Sequence, residues 1–324
     1  VSLIENALEK MRRSSLAAGA DAPGARVVVG AEAPIPRLVA GAEAASPRLA
    51  AGAEAAAGAA TLSARVAPPT LPAKHMTLDL ARVRAAGYLP EENVARRFAD
   101  YYRYIKRPLI EKALAAGAAP EMRLILVTSS VAGDGKTFTS INLALSMARE
   151  RDISVLLIDA DVPRSNVSRI FGLEAEKGLT DALLDETVDP ESWVIRTDIQ
   201  GLELMPAGTS VENATELLAS ARMTAVAARL VTRNPRRVVL FDSSPLLGSS
   251  EAHALLKVPG QVIVVVRAGM TPARALKEAV GQVERGKLQG LILNQAPRPL
   301  GAGYYYGYTM YSASDGRDAS PSRS

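Results

Sequence analysis

The chain has 324 residues, a net charge of +4, no cysteine and only two histidines, His75 and His253. That length suits one large domain with extensions. The missing thiols exclude a disulfide framework and a thiolate metal site, and two histidines are too few for a histidine zinc centre. The small basic excess is scattered, so no nucleic-acid partner is expected.

Residues 1–18 read as an amphipathic helix: Leu3, Ile4, Ala7, Leu8 and Met11 recur at helical spacing, and Ser2 with Glu5 forms a capping box. Glu5, Glu9 and Lys10 stand where a secretory leader would carry its apolar core, so no leader is expected. Residues 19–75 are dominated by Ala, Gly and Pro and hold three tandem units, 26–36, 37–47 and 48–58. Each unit has a central glycine, and proline closes the first two. A continuous helix is disfavoured there, and the stretch reads as a flexible linker. Residues 76–120 look helical: Leu78–Ala86, a turn at Gly87–Pro90, then a charged helix over Glu91–Ala116 interrupted near Pro108.

From Arg123 onward strands and helices alternate. The expected strands are Leu124–Val127, Val155–Asp159, Leu202–Pro206, Val238–Asp242, Gln261–Val266 and Leu288–Asn294. Helices are expected at Thr139–Glu150, Arg164–Phe171, Ala214–Ala219, Met223–Arg233, Glu251–Lys257 and Pro272–Arg285. This pattern predicts an α/β fold over residues 121–297, a mostly parallel sheet of the P-loop NTPase type with helices on both faces. Ligands of such sheets sit beyond the carboxyl ends of the strands. Apolar runs such as Val262–Val266 fall far short of the ~20 residues of a membrane helix.

Three motifs fall at predicted strand ends. The first, Val127-Thr-Ser-Ser-Val-Ala-Gly-Asp-Gly-Lys-Thr137, runs from a buried strand through glycines into a helix. Exposed amides and the helix dipole attract phosphate there; Gly133 and Gly135 permit close approach, Lys136 reaches the outer phosphates, and Thr137 ligates Mg²⁺. The second, Val155–Asp161, ends an apolar strand in Asp159 and Asp161. Two such carboxylates need a cation between or beside them. The third, Val238–Pro245, places Asp242 as a carboxylate for hydrated Mg²⁺. The last segment, 298–324, holds Tyr304, Tyr305, Tyr306, Tyr308 and Tyr311, five of the nine tyrosines, beside Gly301, Gly303 and Gly307. A phenol-bearing tail is suited to accept phosphoryl groups; the alternative is an aromatic docking segment.

In this order, the Ala-Gly-Asp-Gly-Lys-Thr loop, Leu-Ile-Asp-Ala-Asp, Phe-Asp-Ser-Ser-Pro and the tyrosine tail resemble the bacterial tyrosine kinases (BY-kinases) of exopolysaccharide synthesis. The start Ser2–Lys10 and the stretch Leu78–Leu89 resemble the exosortase-associated autokinase subgroup. The resemblance implies ATP and Mg²⁺ as cofactors, held by Gly133, Asp134, Gly135, Lys136, Thr137 and Phe138, with Arg164 and Asn294 as further nucleotide contacts. It implies Lys136, Asp159 and Asp161 as catalytic residues, Asp159 as the base for the tyrosine hydroxyl, and Thr137, Asp161 and Asp242 around the metal. It also implies a ring-like homo-oligomer through Asp100, Arg103 and Lys106, where the family carries Glu-x-x-Arg-x-x-Arg. The loop departs from the usual Pro-Gly-Glu-Gly-Lys at Ala132 and Asp134. A membrane chain-length partner and a cytoplasmic site at the inner membrane follow from the same resemblance. The expected activity is tyrosine autophosphorylation controlling exopolysaccharide export. The alternative is a ParA-type ATPase switch, which shares these strand-end acids but carries a lysine where Val131 stands.

Overall fold

The computed structural model describes residues 74–296 and, as backbone alone, 24–28. The N-terminal helix, most of the 19–75 stretch and the tyrosine tail lie outside the described residues. Among the described residues nine strands form one sheet: β1 (Gly24–Val28), β2 (Lys74–Met76), β3 (Leu124–Ser129), β4 (Ser154–Asp159), β5 (Ile195–Thr197), β6 (Leu202–Met205), β7 (Arg237–Asp242), β8 (Gln261–Arg267) and β9 (Leu288–Ala296). Their order in space is β1-β9-β8-β3-β7-β4-β6-β5-β2. The run from β9 to β6 is parallel, β1 joins β9 antiparallel, β5 joins β6 antiparallel, and β2 lies parallel to β5.

The helices are α1 (Leu80–Ala85), α2 (Glu92–Ala113), α3 (Lys136–Met147), α4 (Asn166–Phe171), α5 (Leu179–Leu184), α6 (Ala214–Ala219), α7 (Ala221–Arg233), α8 (Ser250–Leu255) and α9 (Ala273–Gln282). Successive strand residues point to opposite faces, and both faces are covered. Leu124, Leu126, Leu156, Ile158, Val239 and Phe241 pack with Met223, Val226 and Leu230 of α7 and Leu276 of α9. On the other face Ile125, Val127, Val155, Leu157 and Leu240 pack with Phe98, Tyr102 and Ile105 of α2 and Ile141 and Leu143 of α3. That two-sided burial explains strands that read as unbroken apolar runs.

All six expected strands are present, with ends within two residues of the expected ones. Three readings change. Strand β1 falls inside the stretch read as linker and β2 overlaps its end; the first contains the β-branched run Val27-Val28 and pairs antiparallel with β9. Helix α2 passes through Pro108 without a break. The carbonyl that Pro108 cannot pair is that of Tyr104, an exposed residue, so the missing bond falls on the solvent side of the helix. Helix α3 begins at Lys136 rather than Thr139, because Gly135 adopts φ 96° and starts the helix directly from the loop.

Candidate functional site: a phosphate loop beside three strand-end carboxylates

Strand β3 lies between β7 and β8, at the point where the chain departs to both sides of the sheet. A crevice opens at the carboxyl end of such a strand. The loop leaving it carries Gly133 and Gly135 at φ 87° and 96°, a region costly to side chains. At Gly135 a Cβ would also stand 2.0 Å from Asn294 Nδ2. Among the described residues no side chain caps the start of α3, so its first amides remain available to an anion.

The acids arrive from neighbouring strands. Asp159 and Asp242 end β4 and β7 in direct register. The hydroxyls of Thr137 and Ser140 donate to the two carboxylate oxygens of Asp242, each at 2.8 Å. Asp159 Oδ2 accepts from the Ser168 amide and hydroxyl, both at 2.7 Å, while its Oδ1 is buried and has no partner among the described residues. The Ser244 hydroxyl donates to Asp161 Oδ1 at 2.6 Å. Burial pushes the Asp242 carboxyl up to about 7, helped by the charge of Asp159, and burial raises Asp159 to about 6. Burial lowers Lys136, and the charges of Asp242, Asp161 and Asp134 partly offset this. A cationic ligand would relieve the strain of a dry acidic pair.

Among the described residues no group of three or more acidic, histidine or cysteine side chains forms a ready metal cage. The donors present are hard oxygens: the Thr137 hydroxyl, Asp242 and Asp161. This set fits Mg²⁺, which keeps several waters and takes one or two carboxylates plus phosphate.

Most expected nucleotide residues lie at this crevice, and two take roles that sequence did not indicate. Asp134 is buried and faces sideways: Thr271 donates to its Oδ1 at 2.7 Å and the Val131 amide to its Oδ2 at 3.3 Å. Thr271 Oγ1 also accepts from the Arg267 amide at 2.8 Å. Asn294 Nδ2 donates to the Asp134 carbonyl at 3.0 Å, and its Oδ1 accepts from the Gln295 amide. Both side chains therefore hold the loop's backbone to the ends of β8 and β9. Phe138 packs edge-on against Phe98 of α2, centroids 6.0 Å apart, and its backbone stays in the first turn of α3. Arg164 is exposed, and its charge acts on Lys136.

Of the expected subunit-contact residues, Asp100 and Arg103 are exposed and paired to each other at 2.6 Å. Lys106 is only 7 % exposed; it donates to the Ser146 carbonyl at 2.6 Å and pairs with Glu150 at 2.7 Å. It follows Ile105 on the inward face of α2, and its stem carries the ammonium to the negative end of α3. It is committed within its own chain. The five tail tyrosines lie outside the described residues.

Sequence reasoning missed Ser140, Ser168, Ser244 and Thr271. Ser140 stands one turn after Lys136 and so shares its helix face. Ser244 sits in the third motif itself. Ser168 and Thr271 lie on separate segments, and only the fold brings them in.

Together, the buried parallel sheet, the glycine loop at the start of α3 and the Thr137–Asp242 pair define a P-loop nucleoside-triphosphate enzyme. A family model described as an AAA domain matches residues 122–289. The tyrosine-protein kinase YwqD of Bacillus subtilis is 32% identical over 58% of this chain and 78% of its own. The tyrosine-protein kinase ptk of Acinetobacter johnsonii is 31% identical over 56% of this chain, which spans only 24% of that longer relative. The kinase domain of the Escherichia coli tyrosine kinase ETK superposes with a TM-score of 0.55 at 25% identity, covering 65% of this chain and 80% of that one. The chain belongs to the bacterial tyrosine kinase family, a family of protein-tyrosine kinases. Among the described residues no helix is long and apolar enough to cross a membrane.

Proposed function

We propose that this chain is an ATP-dependent tyrosine autokinase whose acceptors are Tyr304, Tyr305, Tyr306, Tyr308 and Tyr311, acting between copies in a ring-like assembly. The observation that carries this reading is the buried Oδ1 of Asp159, unpartnered among the described residues and in register with Asp242, whose charge acts on Lys136. One oxygen of Asp159 is fixed by Ser168, and the other is left to take a proton.

In this reading the α3 amides, Gly133, Gly135 and Lys136 hold the phosphates, and Thr137, Asp242 and Asp161 hold the hydrated Mg²⁺. The ion, when bound, neutralises charge on the outer phosphates. Lys136, flanked by the charges of Asp242, Asp161 and Asp134, orients the γ-phosphate. Asp159 takes the proton of the incoming phenol. The bond from the tyrosine oxygen to the γ-phosphorus forms as the bond to the bridging oxygen breaks, and ADP leaves. Positioning and charge neutralisation supply most of the acceleration in phosphoryl transfer. Each phosphate adds roughly −1.5 to −2 to the tail. Several such charges repel an acidic neighbouring site, which supports a cycle of assembly and release controlling exopolysaccharide export with a membrane chain-length partner. Membership of the exosortase-associated subgroup, and a place beside the inner membrane through that partner, belong to the same proposal.

The test is phosphotyrosine formation by purified protein with Mg–ATP, supplemented with the partner's cytoplasmic segment. Wild type should label its tail, while Lys136→Met and Asp159→Asn should not. Removing residues 301–324 should abolish labelling and spare ATP hydrolysis. If wild type hydrolyses ATP but never acquires phosphotyrosine, the ATPase-switch reading replaces this one.

A further inference from the structure

The sheet margin formed by β5 and β2 carries a cavity of about 410 Å³, lined by Lys74, Glu176, Lys177, Trp193 and Ile195. That volume is in the range of small-ligand sites, roughly 300–1,000 Å³. Trp193 is the only tryptophan in the chain. Lys177 Nζ stands over its ring, 5.2 Å from the centroid, a cation–π distance. Lys74 is paired with Glu176. Two ammonium groups and one carboxylate leave the cavity with one positive charge in excess.

Register places this cavity on the same rim as the phosphate loop. Leu157 of β4 is level with Leu204 of β6, and Leu204 is level with Ile195 of β5. At ~4.8 Å per strand, Ile195 stands about 10 Å sideways from Leu157, two residues short of Asp159. Because β5 runs antiparallel to β6, Trp193 lies further toward the rim, near the height of Asp159.

We propose that this cavity binds a phosphotyrosine of the chain's own C-terminal segment, Tyr304–Tyr311, once it has left the transfer site. The idea rests on the function proposed above. The tryptophan face suits a phenyl ring. Lys177 and Lys74 suit the phosphate oxygens, as charge-assisted bonds. A neutral phenol finds Lys74 already held by Glu176, whereas a phosphate of charge about −2 competes for it. At the transfer site the same phosphate meets Asp159, Asp161 and Asp242, so product is repelled there and held two strands away. The transfer site is then free for the next tyrosine.

Chain length allows the docking. The last described residue of β9, Ala296, is separated from β5 by six strand steps, about 29 Å. Tyr304 and Tyr311 follow Ala296 by spans of at most about 26 Å and about 50 Å, at ~3.3 Å per residue. The later tyrosines therefore reach the cavity of their own copy.

The lone tryptophan makes the test direct. Full-length protein, treated with phosphatase and kept free of nucleotide, is titrated with a synthetic peptide of residues 302–311 phosphorylated at Tyr306, and with its unphosphorylated twin. The expected result is a saturable change in tryptophan emission, with the twin at least about tenfold weaker. Lys177→Met, at an exposed position, should weaken the phosphopeptide about tenfold, and Lys177→Arg should retain it. No saturable change, equal affinity for the twin, or an unaltered Lys177→Met overturns the proposal, as does equally effective displacement by inorganic phosphate. The peptide is phosphorylated by synthesis, so this outcome is independent of whether the chain itself is an active autokinase.

Discussion

Gly135 is constrained twice, by its backbone angle and by the Asn294 amide against which it packs. Gly135→Ala should lower nucleotide affinity at least about 100-fold, since both the left-handed penalty of about 1–2 kcal/mol and a steric clash fall on the loop. Asn294→Ala removes the clash but leaves the angle. The double variant should thus bind better than the product of the single effects, which a fluorescent-nucleotide titration would show; strict additivity would mean that the two residues do not meet. Asp242 offers a second test, through pH. A carboxyl held above its unfolded value keeps its proton more tightly when folded, so it supports stability in acid and loses that support as pH climbs through the folded value. For Asp242 the window runs from its usual 3.8 up to about 7. Relative to wild type, nucleotide-free Asp242→Asn should therefore gain stability between about pH 4 and about pH 8, by roughly 1–3 kcal/mol in urea denaturation. Curves that stay parallel across that range would show that burial does not tax this carboxylate.

At the scale of elements, α2 packs on α3 through Phe98 against Phe138, at the first turn of the phosphate-loop helix. Tyr102 is buried beneath it, its hydroxyl driven above the usual phenol range by burial, with Thr139 as hydrogen-bond partner. What happens on α2 is therefore felt at the loop. Lys106→Met should cost about 1–3 kcal/mol, by stranding the carbonyl end of α3, and leave assembly unchanged. Arg103→Glu, on the solvent face, should leave the melting point within about 2 °C and lower the assembled mass in light scattering. The reverse pattern would return Lys106 to the subunit interface. This division was not legible in sequence. A charged residue at helical spacing looks solvated, and only the position of α3 shows where Lys106 goes. Signals that repeat or lie close together were legible: the apolar strands, the glycine loop, and the acids one residue past a buried run. Strand β5, three residues with an arginine in the middle, was too short to show a strand pattern; Thr271, the partner of Asp134, lies 137 residues away, and Ser168, nine residues from Asp159, belongs to no motif that marks it. Asn294, expected as a nucleotide contact, also donates to the Asp134 carbonyl across 160 residues, a bracing role that sequence did not indicate.

Across the whole molecule, the sheet gathers three carboxylates and one ammonium group at a single rim, so the protein's own groups make the site acidic. A nucleoside triphosphate brings still more negative charge, and without a divalent cation the two repel. Binding should therefore depend on Mg²⁺ more strongly than the phosphate loop alone implies. At about 100 times its dissociation constant, Mg–ATP should stabilise the folded chain by about 2.7 kcal/mol. For a described domain of this size that is roughly 5–10 °C in melting temperature. ATP with a chelator should give almost none of it. The effect should also grow with pH. Asp242 and Asp159, held up to about 7 and about 6, keep protons in mild acid that the cation must displace. Binding near neutrality should thus release protons, and the thermal shift at about pH 8 should exceed that at about pH 6. Calorimetry in two buffers of different ionisation enthalpy measures the release directly. An equal shift with chelator present, or proton uptake on binding, would show that the strand-end carboxylates do not meet the cation and that the amides of α3 and Lys136 hold the nucleotide without it.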